Sequence, residues 1–127
     1  MERTYLLLAD VMGFLGVALG AFGAHGLKAR LAGRPDAEQR LAWWQTGAQY
    51  HLIHALAIGL AALVAARAPE GTLAGWLFLG GVALFSGSLY LMTLTGIRKL
   101  GAITPVGGVL MLAGWISIIL SALRIAP

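Results

Sequence analysis

The chain has 127 residues, of which 59% are hydrophobic and only 11% charged, far from the composition of soluble domains, where about a quarter is charged. It holds no cysteine, which excludes disulfide frameworks, thiolate nucleophiles, zinc ribbons and iron–sulfur ligation. A net charge of +4 and a mean hydropathy of +0.83 go with basic residues that punctuate apolar runs instead of gathering on a solvated face, which points to a bilayer and away from nucleic acid.

About 20 apolar residues cross the roughly 30 Å of a bilayer's hydrocarbon, and four such stretches occur, at about 5–26, 46–66, 73–95 and 103–123. The first is longer than the roughly 7–15 apolar residues of a signal peptide, so it is expected to stay as a helix. Within it Gly13, Gly16, Gly20 and Gly23 recur at helical spacing. Small residues let backbones approach in lipid, so this stripe is expected to pack against another helix. Asp10 is the one charged residue inside an apolar run. It reads as a group reaching water from near the interface, as a partner for a neighbouring helix, or as a proton-coupling group.

From Lys28 to Arg40 the composition suits a surface helix and a loop alike. Pro35-Asp36-Ala37-Glu38-Gln39 resembles a helix start, with Asp36 as the cap and Gln39 reaching back, so the second helix is expected to begin outside the membrane. Pro69 and Gly71 mark the turn into the third span, and Gly96 to Ala102 the turn into the fourth. There Thr104-Pro105 supplies a capping hydroxyl and a proline at the first helical position, and Gly107 and Gly114 open another packing series. Since lipid demands that every backbone group be satisfied internally, the expected architecture is all-α: one domain over 1–127, a bundle of four antiparallel up-and-down transmembrane helices. Arg3, Arg67 and Arg124 fall on one side, and Lys28, Arg30, Arg34, Arg40, Arg98 and Lys99 on the other. The positive-inside rule therefore places both termini on the non-cytoplasmic side.

The runs Ala18-Leu-Gly-Ala-Phe-Gly-Ala-His25-Gly, Gln45-Thr-Gly-Ala-Gln49-Tyr-His51-Leu-Ile-His54, Phe85-Ser-Gly-Ser-Leu-Tyr90 and Ile103-Thr-Pro-Val-Gly-Gly-Val resemble, in this order, the YgdD/YwdK-like family of small bacterial inner-membrane proteins. The resemblance covers essentially the whole chain. It implies a four-span integral protein of the inner membrane and supplies no activity; Asp10 lies outside its motifs.

Up-and-down topology brings polar residues of all four spans to the basic side. His25 ends the first span, Gln45, Gln49, Tyr50, His51 and His54 enter with the second, Tyr90 arrives with the third and Thr104 leaves with the fourth, under Arg98 and Lys99. A polar, cationic vestibule is expected there, binding a lipid or amphiphile through these side chains. The histidines also suit plain interhelical hydrogen bonding, proton handling, or metal ligation through His51-x-x-His54, although no completing ligand is evident. Nothing matches Gly-x-x-x-x-Gly-Lys, Gly-x-Ser-x-Gly or His-Glu-x-x-His, and Ser86 and Ser88 sit in a span, where serines usually bond helix carbonyls. The sequence reads as a non-enzymatic membrane protein without cofactor or metal, homo-oligomeric, in contact with membrane lipids or a membrane-protein partner. An oligomeric small-molecule or proton-coupled transporter and a structural subunit of a larger membrane complex are the alternatives.

Overall fold

Backbone amides inside hydrocarbon are satisfied only by helices or closed barrels, and this chain takes the helical solution. The computed structural model describes residues 2–125. Four segments, Glu2–Leu31, Ala37–Ala65, Glu70–Thr95 and Arg98–Arg124, are long and apolar enough to cross a membrane, and no strand forms among the described residues. The first is α1 (Glu2–Phe22), a π-helical segment (Gly23–Leu27) and α2 (Lys28–Leu31) in unbroken succession. Its 30 residues reach about 45 Å at 1.5 Å per residue, so its basic end projects beyond the hydrocarbon. The composition-ambiguous stretch after Lys28 is thus helix to Leu31. It then turns through Gly33, whose φ of +81° costs a residue without Cβ nothing.

The remaining elements are α3 (Ala37–Ala65), α4 (Glu70–Thr95), a 3₁₀ turn (Arg98–Ala102) and α5 (Thr104–Arg124). Both anticipated caps are absent. Asp36 precedes α3 but makes no side-chain bond to its first amides, because its carboxylate is drawn to Arg40 (2.8 Å) and Arg34 (3.4 Å). Gln39 does not reach back either; its Oε1 accepts from Arg98 at 2.9 Å. Thr104 lies inside α5, with its hydroxyl spent on Ser88 at 2.6 Å, while Pro105 keeps its place in the first turn. Gly96 closes α4 in the left-handed conformation, φ +74°, its amide bonded to the Met92 carbonyl, as helix ends favour.

The helices pack in chain order, α1 on α3, α3 on α4 and α4 on α5, and α1 and α5 make no comparable contact with each other. The molecule is therefore an open row of antiparallel helices. Burial follows that order: eleven residues of α3 and eleven of α4 are buried, against five of α5 and two of α1, Tyr5 and Gly16. The central cluster is Ala57, Ile58, Ala61, Ala74 and Phe78. Where no hydrophobic drive brings helices together, small residues set how closely they approach. A Cβ on Gly107 would collide with the Phe85 backbone, and one on Gly114 would stand 2.6 Å from the Phe78 ring. On α1 the expected stripe divides. Gly16 abuts Leu52 and Gly23 abuts Trp44, but Gly13 and Gly20 have nothing within 4 Å of the point where a Cβ would stand, since intervals of three and four turn them away from α3. Of the four glycines expected to pack against another helix, Gly16 and Gly23 thus meet α3, and Gly13 and Gly20 meet no other helix of this chain at the point where a Cβ would stand.

Gly107→Ala is expected to cost about 1–3 kcal/mol by overpacking, while Gly13→Ala stays neutral. Unfolding in a denaturing detergent followed by circular dichroism measures both.

Candidate functional site

The polar residues on α3 do not line one vestibule; helix rotation sorts them into separate sets. At the basic end, Arg40 is buried beside α4. Its Nε donates to Asp36 and its Nη1 to the Thr93 carbonyl at 3.2 Å, while the Thr93 hydroxyl donates to the Arg40 carbonyl at 3.0 Å. The guanidinium lies against Gly96, where any Cβ would strike it. This clamp ties the start of α3 to the end of α4. The hydrogen bond from Arg40 holds the Asp36 carboxyl below the usual carboxylate range, and the charges of Arg40 and Arg34 act the same way. Arg40 counted in sequence only toward topology; its i, i+4 spacing from Asp36 was the signal for the pair. Arg98 is also engaged, with Gln39 and above the Trp43 ring at 5.9 Å.

One level deeper, side chains stitch helices together. The Trp44 indole donates to the Leu19 carbonyl at 2.8 Å, Ser86 donates to the Gly47 carbonyl at 2.7 Å, and His51 Nδ1 meets the Tyr90 hydroxyl at 3.0 Å. His51 Nε2 is buried without a hydrogen-bond partner, its ring edge facing Gly16 of α1.

His54 joins α3 to α5. Its Nδ1 lies 2.8 Å from the Tyr50 carbonyl and its Nε2 is 3.2 Å from the Trp115 indole nitrogen. A carbonyl only accepts and an indole N–H only donates, so the ring is neutral with its proton on Nδ1. Tyr50 stacks on it at 6.0 Å, and Phe78 and Trp115 close around it. Beside this cluster, between α3 and α5, runs a groove of about 440 Å³ lined by Tyr50, His54, Phe85, Pro105, Gly108 and Trp115 among others.

The other expected site residues lie apart. His25, Gln45 and Gln49 are exposed on the first two spans, Thr104 pairs with Ser88, and Asp10 lines a trough between α1 and α3. The structure does not gather His25, Gln45, Gln49, Tyr50, His51, His54, Tyr90, Arg98 and Thr104 in a single vestibule: the side chains on α3 leave it in different directions, and Tyr90, Arg98 and Thr104 are engaged with His51, Gln39 and Ser88. Among the described residues no three His, Asp or Glu side chains come close enough to hold a metal ion.

Residues 19–108 match the family model described as "Protein of unknown function (DUF423)". The chain is 43% identical to the UPF0382 membrane protein YwdK of Bacillus subtilis over 96% of its own length and 98% of that protein's. It is 42% identical to the UPF0382 inner membrane protein YgdD of Escherichia coli over 98% and 92%, and 37% identical to the UPF0382 membrane protein SH2409 of Staphylococcus haemolyticus over 96% and 97%. No solved structure matches.

Two outcomes follow from these bonds. A carboxyl with a lowered folded pKa contributes stability above its unfolded value, and that contribution is lost as pH falls through the folded one. The stability difference between wild type and Asp36→Asn is therefore expected to hold from pH 7 to about 5 and to shrink below about 4, read by detergent unfolding at each pH. Trp115→Phe, which leaves His54 Nε2 without its donor, is expected to lower stability by about 0.6–1.7 kcal/mol, the range for intramembrane hydrogen bonds, in the same unfolding assay.

Proposed function

We propose that this chain, which belongs to the DUF423 family of membrane proteins of unknown function, is a non-enzymatic inner-membrane protein that holds an amphiphile in the groove between α3 and α5. The carrying observation is the groove itself: about 440 Å³, walled by Tyr50, Phe85 and Trp115 and floored by Gly108. From Pro105 to Trp115 it extends ten residues, about 15 Å along a helix, half the thickness of the hydrocarbon. That shape suits an acyl chain lying along the membrane normal.

Polar chemistry at the upper end supports the same reading. Tyr50 is exposed to the groove, and its hydroxyl makes no hydrogen bond among the described residues, leaving it for an ester or headgroup oxygen. Side chains on a helix lean toward its N-terminus, which for α3 is the basic end. Exposed Lys99, in the 3₁₀ turn leading to α5, supplies positive charge to an anionic headgroup. With the termini on the non-cytoplasmic face, this end meets the anionic cytoplasmic leaflet. The transporter alternative has less support, since an open row of helices encloses no path and His54 has both ring nitrogens engaged.

Native mass spectrometry on gently extracted protein tests the reading. Wild type is expected to carry a discrete lipid adduct. Gly108→Leu, which fills the groove floor, is expected to lower its retention about tenfold, equivalent to about 1.4 kcal/mol, and Tyr50→Phe to lower it less. Retention unchanged in both variants, with helix content intact, overturns the proposal.

A further inference from the structure

At the basic end of the molecule, the α1–α3 side carries charges of both signs that the fold does not use. Arg34 and Arg40 are paired with Asp36, Arg98 bonds Gln39, and Arg30 lies over the Phe22 ring. Lys28 and Glu38 are left exposed, and neither forms an ion pair among the described residues. They nevertheless line one cleft of about 440 Å³, together with Gly23, Ala24, Ala42 and Gln45. The Gln45 carboxamide is also exposed and makes no hydrogen bond among the described residues.

The backbone brings these groups to one place. Glu38, Ala42 and Gln45 recur at intervals of four and three, which keeps them on one face of α3. Lys28 reaches the cleft through the π-helical segment Gly23–Leu27 that precedes it. Residues five apart point about 140° away from each other on an α-helix, but bonding from i to i+5 carries Lys28 back over Gly23. Such π segments are rare and gather at functional sites. Lys28 belongs to the part of the first helix that projects beyond the hydrocarbon. Gln45 lies about 10 Å deeper than Glu38 along α3, at the edge of the second apolar run, so the cleft spans the headgroup layer.

We propose that this cleft binds the zwitterionic headgroup of an ethanolamine phospholipid. The Lys28 ammonium donates to the lipid phosphate, the Glu38 carboxylate accepts from the lipid ammonium, and the Gln45 carboxamide, leaning back toward the N-terminus of α3, donates to an ester oxygen below them. A headgroup of a single sign satisfies one wall of the cleft and opposes the other, and a quaternary ammonium has no N–H for Glu38 to accept. Opposite charges held apart in the headgroup layer therefore select a lipid that carries both. The cleft is distinct from the α3–α5 groove, and the proposal stands independently of the function assigned to that groove.

Native mass spectrometry of the full chain with equimolar ethanolamine and glycerol phospholipids of identical acyl chains tests the assignment. Gly108→Leu serves as the parent, so that lipid in the α3–α5 groove does not enter the count. The ethanolamine lipid is expected to be retained about three- to tenfold over the glycerol lipid, the worth of one hydrogen bond to a charged group near water. Adding Glu38→Gln is expected to abolish that preference, Glu38→Lys to turn it in favour of the glycerol lipid, and Lys28→Gln to lower retention of both, with helix content by circular dichroism unchanged throughout. Equal retention of the two lipids by the parent, or a preference that survives Glu38→Gln, overturns the proposal.

Discussion

The contact between α3 and α4 is the interaction on which the rest of the molecule hangs, and it is as much polar as apolar. Its apolar part is the cluster of Ala57, Ile58, Ala61, Ala74 and Phe78, but in lipid apolar surface gains little by leaving the tails. What specifies the pairing is a ladder of groups that have no water to fall back on. Arg40 and Thr93 exchange bonds at one end, Ser86 reaches the Gly47 carbonyl, and His51 meets Tyr90. Sliding α3 by one turn along α4 would break all of them at once, and each orphaned group in hydrocarbon is costly.

The flanking helices are fastened differently. α5 approaches α4 backbone to backbone where Gly107 meets Phe85, and at its far end the Ser117 hydroxyl donates to the Glu70 carbonyl while Arg124 pairs with the Glu70 carboxylate. α1 is held by the Trp44 indole on the Leu19 carbonyl near one end and by the Tyr5 hydroxyl on the Thr72 carbonyl at the other. The π-helical segment follows Leu19 by one turn, and there Gly23 admits the Trp44 ring. A π segment shifts the residues after it around the helix axis, which here carries Leu27 and Leu31 onto the cluster around Trp44.

The open row presents two surfaces outside its helix contacts. Between α3 and α5 the surface is aromatic and its histidine is satisfied internally, so what it offers is shape and one hydroxyl. Between α1 and α3, at the basic end, the surface carries a lysine and a glutamate without ion-pair partners among the described residues, so what it offers is opposite charges held apart. The chemistry of each face accounts for the different occupants assigned to them: an amphiphile with an apolar chain for the first, a zwitterionic headgroup for the second.

Helix number, the antiparallel order and the class of protein were legible in the sequence, because hydropathy and run length are properties of consecutive residues and lipid leaves them one solution. The polar residues on the second span were legible as a set for the same reason: their depth follows from position along α3. Their partners were not. Tyr50, His51 and His54 are close in sequence, yet one faces a groove, one Tyr90 and one Trp115, since about 100° of rotation separates successive residues and only packing decides which direction meets which helix. The same holds for the glycines of α1, two against α3 and two in the open, and for Asp36 and Thr104, whose side chains look like caps until Arg40 and Ser88 arrive from elsewhere in the fold. Local pattern determined what each segment is; the rotation and register of four helices, set by polar groups that must pair in a medium without water, decided what each side chain does.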